Sequence, residues 1–313
     1  HQEEIAITLT QFGYIKRLPA DTYRSQKRGG KGVQGITTRE EDIVKDIFIT
    51  STHDNILFFT NKGKVYSMKG YQIPESGRQA KGMAIVNLLE IDQDETVTTV
   101  IPISEYEEGL YLTMVTKQGL VKKTDLMEYQ NIRRGGLAAV SLRENDELID
   151  VKLTDGNSDI ILVSHKGMAI RFNEADVRQT GRVSQGVKGI ALDDDDYVVS
   201  MEAIKQGEEG YLLTVTENGY GKRTSLDEYK DQNRGGRGIK TYKITEKTGN
   251  IAGARIVNED DDILLVNTDG TVIRLNVSEI SVLSRSTQGV LLMRIEENSK
   301  IVGLAKVENN NDA

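Results

Sequence analysis

A short apolar run, a Thr, Ser or Asn, two further residues, a glycine and a second short run recur six times: LTQFGYIKR, FTNKGKVYS, VTKQGLVKK, VSHKGMAIR, VTENGYGKR and VNTDGTVIR. Short apolar runs bounded by Gly, Asn and Asp predict strands joined by hairpins. The anchor glycines are Gly13, Gly63, Gly119, Gly167, Gly219 and Gly270, spaced by 50, 56, 48, 52 and 51 residues. That is the period of a propeller blade, longer than the ~20 to 35 residues of leucine-rich or ankyrin arrays.

Asn218-Gly219 and Asp269-Gly270 predict tight primed turns, which need positive φ. Nineteen residues after each anchor a second small residue (Gly32, Gly82, Ala138, Gly186, Gly238, Gly289) opens a further apolar segment such as MAIVNLL, predicted as a third strand. An acidic turn, as in Glu144 to Glu147 or Asp193 to Asp196, and a last strand such as DELIDVKL complete four strands per repeat. The expected fold is all-β: six blades of about four strands, closed into a ring that protects its strand edges, in one domain over residues 1–313.

Composition agrees, with 30 glycines against 3 prolines and 5% aromatic residues. The absence of tryptophan excludes a Trp-Asp repeat signature, and the absence of cysteine excludes disulfides, a thiolate nucleophile and zinc ribbons. Three histidines are too few for most metal sites. No apolar run approaches the ~18 residues of a membrane span, and with no signal-type core or initiating Met the expectation is a soluble, cytosolic fragment of a longer chain.

The net charge of −8 argues against a uniformly basic nucleic-acid binder, but it averages over a segregation. The six twenty-residue windows that start at the anchor glycines hold 24 basic and 10 acidic residues; the other 193 residues hold 16 and 38. A ring brings equivalent windows to one rim, so an acidic protein is expected to carry a basic belt. Fifteen residues after every anchor stands an arginine: Arg28, Arg78, Arg134, Arg182, Arg234 and Arg285. Four residues after it the residue is basic in five repeats, as Arg17, Lys123, Arg171, Arg223 and Arg274, with Ser67 the exception. Lys16, Lys64, Lys81, Lys122, Lys222 and Arg237 add to the same windows. Each loop arginine has two readings: it caps carbonyls or pairs with a carboxylate in the blade turn, or it faces a polyanion. Cations at blade intervals suit duplex DNA bent around the rim, held through phosphates and without base-specific reading.

Other motifs carry less. Gly30 to Gly35 fits G-x-G-x-x-G but lacks the strand-then-helix setting of a dinucleotide site. His53 and His165 have no triad or metal partners, and Asp193 to Asp196 lack the ligand alternation of a calcium loop. No acid, base or metal constellation supports a propeller enzyme with a site in its channel.

In the first repeat Gln26-Lys27-Arg28-Gly29-Gly30-Lys31-Gly32 resembles the gyrase-A box that marks the C-terminal DNA-wrapping domain of bacterial DNA gyrase A subunits, and GKVYSMKGYQIPE, ENGYGKRTSLDEY and VSEISVLSRSTQGV resemble its blades. Gln232 to Gly238 is nearly a second box. Paired glycines let a backbone approach a phosphate closely, and Lys27, Arg28 and Lys31 supply charge around it. The resemblance implies a six-bladed β-pinwheel, whose strands are exchanged between neighbouring blades, wrapping duplex DNA in a nucleoid-associated enzyme. It also implies no catalytic residue, cofactor or metal in this domain, and as partners the gyrase B subunit together with the rest of the gyrase A subunit. The equivalent domain of topoisomerase IV and a protein-interaction propeller are the alternatives.

Overall fold

A computed structural model describes residues 1–21, 38–39 and 44–307. Each repeat contributes two hairpin strands, one very short strand and one longer strand. In the first repeat these are β1 (Glu4–Thr10), β2 (Tyr14–Pro19), β3 (Thr38–Arg39) and β4 (Val44–Ser51), and in the second β5 (Asn55–Thr60), β6 (Lys64–Lys69), β7 (Met83–Ala84) and β8 (Val97–Ile103). The third holds β9 (Tyr111–Thr116), β10 (Leu120–Asp125), β11 (Leu137–Ala138) and β12 (Leu148–Thr154); the fourth holds β13 (Asp159–Ser164), β14 (Met168–Asn173), β15 (Val187–Lys188) and β16 (Val198–Ile204). The fifth has β17 (Tyr211–Thr216), β18 (Tyr220–Ser225), β19 (Ile239–Lys240) and β20 (Ile251–Val257), and the sixth β21 (Asp262–Asn267), β22 (Thr271–Asn276), β23 (Val290–Leu291) and β24 (Ile301–Val307).

The strands assemble into six four-stranded antiparallel sheets, but no sheet is made from one repeat. Blade 1 is ordered β4-β1-β2-β7, its outer strand coming from the second repeat; blades 2 to 5 borrow β11, β15, β19 and β23 in the same way. Blade 6 is ordered β24-β21-β22-β3, so the first repeat closes the ring by lending its outer strand to the last blade. The fold is a six-bladed propeller with strand exchange. The inner strands β4, β8, β12, β16, β20 and β24 surround a channel of about 420 Å³, lined by Lys45, Asp46, Asp150, Lys152 and Arg255 among others.

The cores lie between blades. Both faces of each first hairpin strand are covered, which is why these strands read as unbroken apolar runs. In β5, Ile56 and Phe58 pack toward blade 1 with Ile7 and Ile15, while Leu57 and Phe59 pack toward blade 3 with Leu112 and Met114. The alternation repeats in β13, where Ile160 joins Val115 and Ile161 joins Leu212.

The recurrent signature has a local cause. The Thr, Ser or Asn three residues before the anchor turns its side chain back to accept the amide that follows the glycine: Tyr14 N to Thr10 (2.9 Å), Leu120 N to Thr116 (3.2 Å), Met168 N to Ser164 (3.1 Å), Tyr220 N to Thr216 (3.2 Å), Thr271 N to Asn267 (3.0 Å). The hairpins differ from the expected primed turns. They have three-residue loops with positive φ at the glycine alone, at +92° in Gly219, and Asn218 stays in the ordinary region. The anchor carbonyl then receives the next repeat: Ile85, Ala139, Gly189, Thr241 and Leu292 donate their amides to Gly13, Gly63, Gly119, Gly167 and Gly219, at 2.7 to 2.8 Å. The predicted third strand is correspondingly short. In MAIVNLL only Met83 and Ala84 pair, and Ile85–Asn87 form a 3-10 turn as the chain leaves the rim for the channel.

A Cβ added to Gly219 would lie 2.0 Å from the Met293 carbonyl oxygen, whereas Gly207, also at positive φ (+80°), has nothing within 4 Å. Gly207→Ala is expected to lose only the ~1 to 2 kcal/mol of left-handed backbone strain. Gly219→Ala must also displace the incoming sixth repeat, and in urea unfolding it is expected to lose clearly more. Equal losses would contradict this role for the anchor.

Candidate nucleic-acid interface

After its second strand a repeat makes one 3-10 turn and runs along the outer edge of the preceding blade. Asp125, Asn173, Ser225 and Asn276 cap these turns by accepting an amide two residues on. The loops then ride the neighbour's second strand in short parallel bridges, Arg17 with Glu75, Lys123 with Gln179, Arg171 with Asp231 and Arg223 with Val282. These loops, ending in the borrowed outer strands, form the rim. Gln26, Lys27, Arg28, Gly29, Gly30, Lys31 and Gly32 lie outside the described residues.

The cations divide into two sets. On the second strands they reach into the neighbouring loop. Lys16 Nζ donates to the carbonyls of Gly77 (3.1 Å), Arg78 (2.8 Å) and Ala80 (2.9 Å). Lys222 Nζ donates to the carbonyls of Ser284 (2.7 Å), Arg285 (2.8 Å) and Thr287 (2.9 Å) and lies over the Tyr242 ring. Lys122 Nζ does the same with Ala139 and Arg182, and Lys122 and Lys222 are fully buried. An ammonium has three N–H groups and no acceptor, so it can gather carbonyls that no backbone donor reaches. Burial pushes Lys122 down to about 7 and Lys222 down to about 8.

The next position holds the neighbour's 3-10 turn. Arg17 donates to the Ile73 carbonyl (2.6 Å), Lys123 to that of Glu174 (3.0 Å), Arg171 to those of Leu226 and Tyr229 (3.1 and 3.2 Å), and Arg223 to that of Ile280 (2.7 Å). Arg171 also pairs with Asp159 at 2.9 Å and Arg223 with Glu259 at 3.3 Å. Arg274 pairs with Asp262 of its own blade at 2.7 Å. The structure thus turns Lys16, Arg17, Lys122, Lys123, Arg171, Lys222 and Arg223 into blade-to-blade packing, where charge alone had suggested a free belt.

The loop arginines show both readings. Arg182, Arg234 and Arg285 donate to the carbonyls of Ala138 (3.1 Å), Lys188 (2.6 Å) and Lys240 (2.9 Å), the last residues of the preceding outer strands, and so satisfy edge carbonyls the sheet leaves open. Arg134 is exposed beside Glu90 (3.3 Å), and Arg78 is exposed with no side-chain hydrogen bond among the described residues. Lys81 is exposed over the Tyr14 ring, Lys64 is half-buried over Tyr66, and Arg237 is exposed with Asp193 at 3.5 Å.

Among the described residues five further exposed rim cations escaped the sequence reading: Arg133, Arg178, Lys188, Lys230 and Lys240. For four of them the signal was present in pairs, since Arg178 and Lys230 both fall 11 residues after an anchor and Lys188 and Lys240 both fall 21 after, while Arg133 belongs to neither pair. The acidic turns sit at the hairpin tips, where Asp146 accepts the Gln118 amide and Asp196 the Lys166 amide, both at 2.9 Å, and the turn from Asp193 to Asp196 meets the rim at Arg237. In the channel, charges pair off, Lys152 with Asp150 (3.2 Å) and Glu202 (3.7 Å), and Arg255 with Glu202 (3.3 Å).

A closed ring of six blades, in which each repeat lends its outer strand backward, is a β-pinwheel, and among the described residues the rims of blades 1 to 4 expose cations. The chain belongs to the family of DNA gyrase C-terminal domains of β-propeller fold, matching it repeat by repeat over residues 4–51, 54–104, 110–155, 158–205, 210–258 and 261–308. It is 54% identical over 306 residues to the DNA gyrase A subunit of Clostridium acetobutylicum and 47% identical over 312 residues to that of Staphylococcus epidermidis. These alignments take in 98% and 99% of the chain but 37% and 35% of the relatives, so the chain spans about a third of their length. Among solved structures it is similar to a C-terminal domain of DNA topoisomerase IV (TM-score 0.82, 30% identity, covering 98% of this chain and 94% of that one). It is also similar to a DNA gyrase A C-terminal domain (TM-score 0.78, 27% identity, 98% and 100%).

Lys122 is protonated in the unfolded chain up to about 10.5 but loses its proton in the fold above about 7. The unfolded state therefore binds more protons across that window, and this lysine's contribution to stability rises with pH. Urea unfolding of the parent and of Lys122→Met at pH 6.5 and 9.5 is expected to show the parent's advantage growing at the higher pH. A constant difference would contradict the buried, proton-releasing lysine.

Proposed function

We propose that this domain binds duplex DNA along its rim and bends it, so that the type II topoisomerase containing it introduces negative supercoils. The observation that carries the reading is the strand exchange itself, which lays a cation-bearing loop along the outermost edge of one blade after another. Regularly placed cations on a convex edge meet phosphates of a curved duplex without reading bases, and the counterions they release make binding steeply salt-dependent.

The buried strand cations hold the rim in shape; the exposed ones, among them Arg78, Lys81, Arg133, Arg134, Lys230 and Arg237, touch phosphate. The box loop, Gln26 to Gly32, is a further phosphate grip. The domain has no cofactor and no catalytic residue of its own; strand cleavage and ATP hydrolysis belong to the gyrase B subunit together with the remainder of the gyrase A subunit, in the bacterial cytoplasm at the nucleoid. The box in the first repeat and the identity to gyrase A subunits favour gyrase over topoisomerase IV.

The test is topological. The 313-residue chain is bound to nicked circular DNA, the nick is sealed, and the linking number is measured. Wrapping is expected to shift it in proportion to bound protein, and binding is expected to weaken about 10³ to 10⁵ fold between 50 and 200 mM salt for six to ten phosphate contacts. Binding without a linking-number change would refute wrapping, and salt-insensitive or absent DNA binding would favour a protein-interaction propeller.

A further inference from the structure

We propose that the lysine-braced rim loops are phosphate seats made of main-chain amides: the ammonium beneath a loop draws its carbonyls inward and so turns its N–H groups out toward the duplex. This rests on the proposed rim binding and adds the groups that receive phosphate where a loop has no glycine pair. The sequence alternates accordingly. The residue three after the anchor is Lys16, Lys122 and Lys222 in the odd repeats and Tyr66, Ile170 and Ile273 in the even ones. Strand exchange lays Arg78-Gln79-Ala80, Arg182-Val183-Ser184 and Arg285-Ser286-Thr287 over the three lysines. Over Tyr66 and Ile170 it lays Arg134-Gly135-Gly136 and Arg234-Gly235-Gly236, and the box holds the same Arg28-Gly29-Gly30. The glycine pairs turn the chain through positive φ, +82° at Gly136 and +86° at Gly235, whereas the loops without a pair have a lysine underneath.

The turning follows from the peptide unit, in which the C=O and the next N–H point in opposite directions. Lys16 Nζ holds the carbonyls of Gly77, Arg78 and Ala80, so the amides of Arg78, Gln79 and Lys81 point away from it. All three residues are exposed, and their amides meet no acceptor among the described residues. Lys222 holds the carbonyls at the same three places, Ser284, Arg285 and Thr287, and turns out the amides of Arg285, Ser286 and Gln288. One of these already carries an anion, since the Glu228 carboxylate accepts the Arg285 amide (3.2 Å). In blade 3 Lys122 draws in the Arg182 carbonyl, which turns out the amide of the exposed Val183. Successive outward amides form a nest for an oxyanion without a side-chain charge at the point of contact. If the ammonium is removed, the stranded carbonyls must rotate toward water, and the amides turn inward with them.

Amide resonances and salt dependence test the seat. When a short duplex is added to the isotope-labelled chain, the amide protons of Arg78, Gln79, Lys81, Ser286 and Gln288 are expected to shift downfield, as N–H groups bonded to an oxyanion do. In Lys16→Met the blade 1 shifts are expected to vanish while those of blade 5 remain, and in Lys222→Met the reverse. Each variant's untouched loop, read at a temperature where its unfolding curve shows the ring folded, reports that the fold is intact. Each variant is expected to bind duplex about three- to tenfold more weakly, with the slope of log affinity against log salt unchanged. Amides that do not move when duplex is added, or blade 1 shifts that survive Lys16→Met, would overturn the seat. A slope flattened by about one unit in Lys16→Met would put the ammonium itself on phosphate and overturn it as well. A parent that binds no DNA would instead refute the function on which the seat rests.

Discussion

The contact on which the ring depends is made at the anchor glycines. Among the described residues five hairpin tips offer a carbonyl that accepts an amide from the following repeat, and at Gly63, Gly119, Gly167 and Gly219 a Cβ would run into that repeat's backbone, as into the Met293 carbonyl at Gly219. The two-residue outer strand beside it pairs only with the neighbour's second strand, so no repeat can complete a sheet alone. Blade packing, rim position and ring closure follow from this docking, because the incoming chain arrives at the outer edge, crosses the tip and turns inward to the channel.

Placing loops at an outer edge leaves carbonyls that no strand satisfies, and the protein answers with cations. Lys16, Lys122 and Lys222 gather loop carbonyls, and Arg182, Arg234 and Arg285 take those of the outer strands. The same residue types serve two ends. Lys122 and Lys222 on their second strands point under the loop and become buried braces, whereas a lysine on the loop or outer strand, such as Lys188 or Lys230, faces solvent. In the proposed DNA binding the braces make the exposed set effective, since a phosphate contact on a loose loop would cost ordering entropy.

Much of this was legible in the chain. The six anchors, the polar residue three before them and the all-β repeat came directly from spacing, because docking and turn capping demand those residues at those places. The exchange of outer strands is invisible to periodicity, which counts four strands per repeat whether they pair within it or beyond it; the resemblance carried by Gln26 to Gly32 supplied that. MAIVNLL read as a strand because it is apolar, yet its hydrophobic side chains serve the passage inward to the core, where Ile85 and Leu89 are buried. The cations were found but not sorted: charge at position four after the anchor looks the same in sequence whether Arg223 faces a phosphate or the Ile280 carbonyl.

That sorting is the central claim, and the salt dependence of duplex binding measures it directly. Each cation that touches phosphate contributes about one unit to the slope of log affinity against log salt concentration. For Lys230→Ala/Arg237→Ala the slope is expected to flatten by about two units with the unfolding midpoint unchanged. For Lys122→Met/Lys222→Met, measured at a temperature where the ring is fully folded, the midpoint is expected to fall and the slope to stay that of the parent. A flattened slope in the second variant with no change in the first would show that the buried lysines are the ones that meet DNA, contrary to this account.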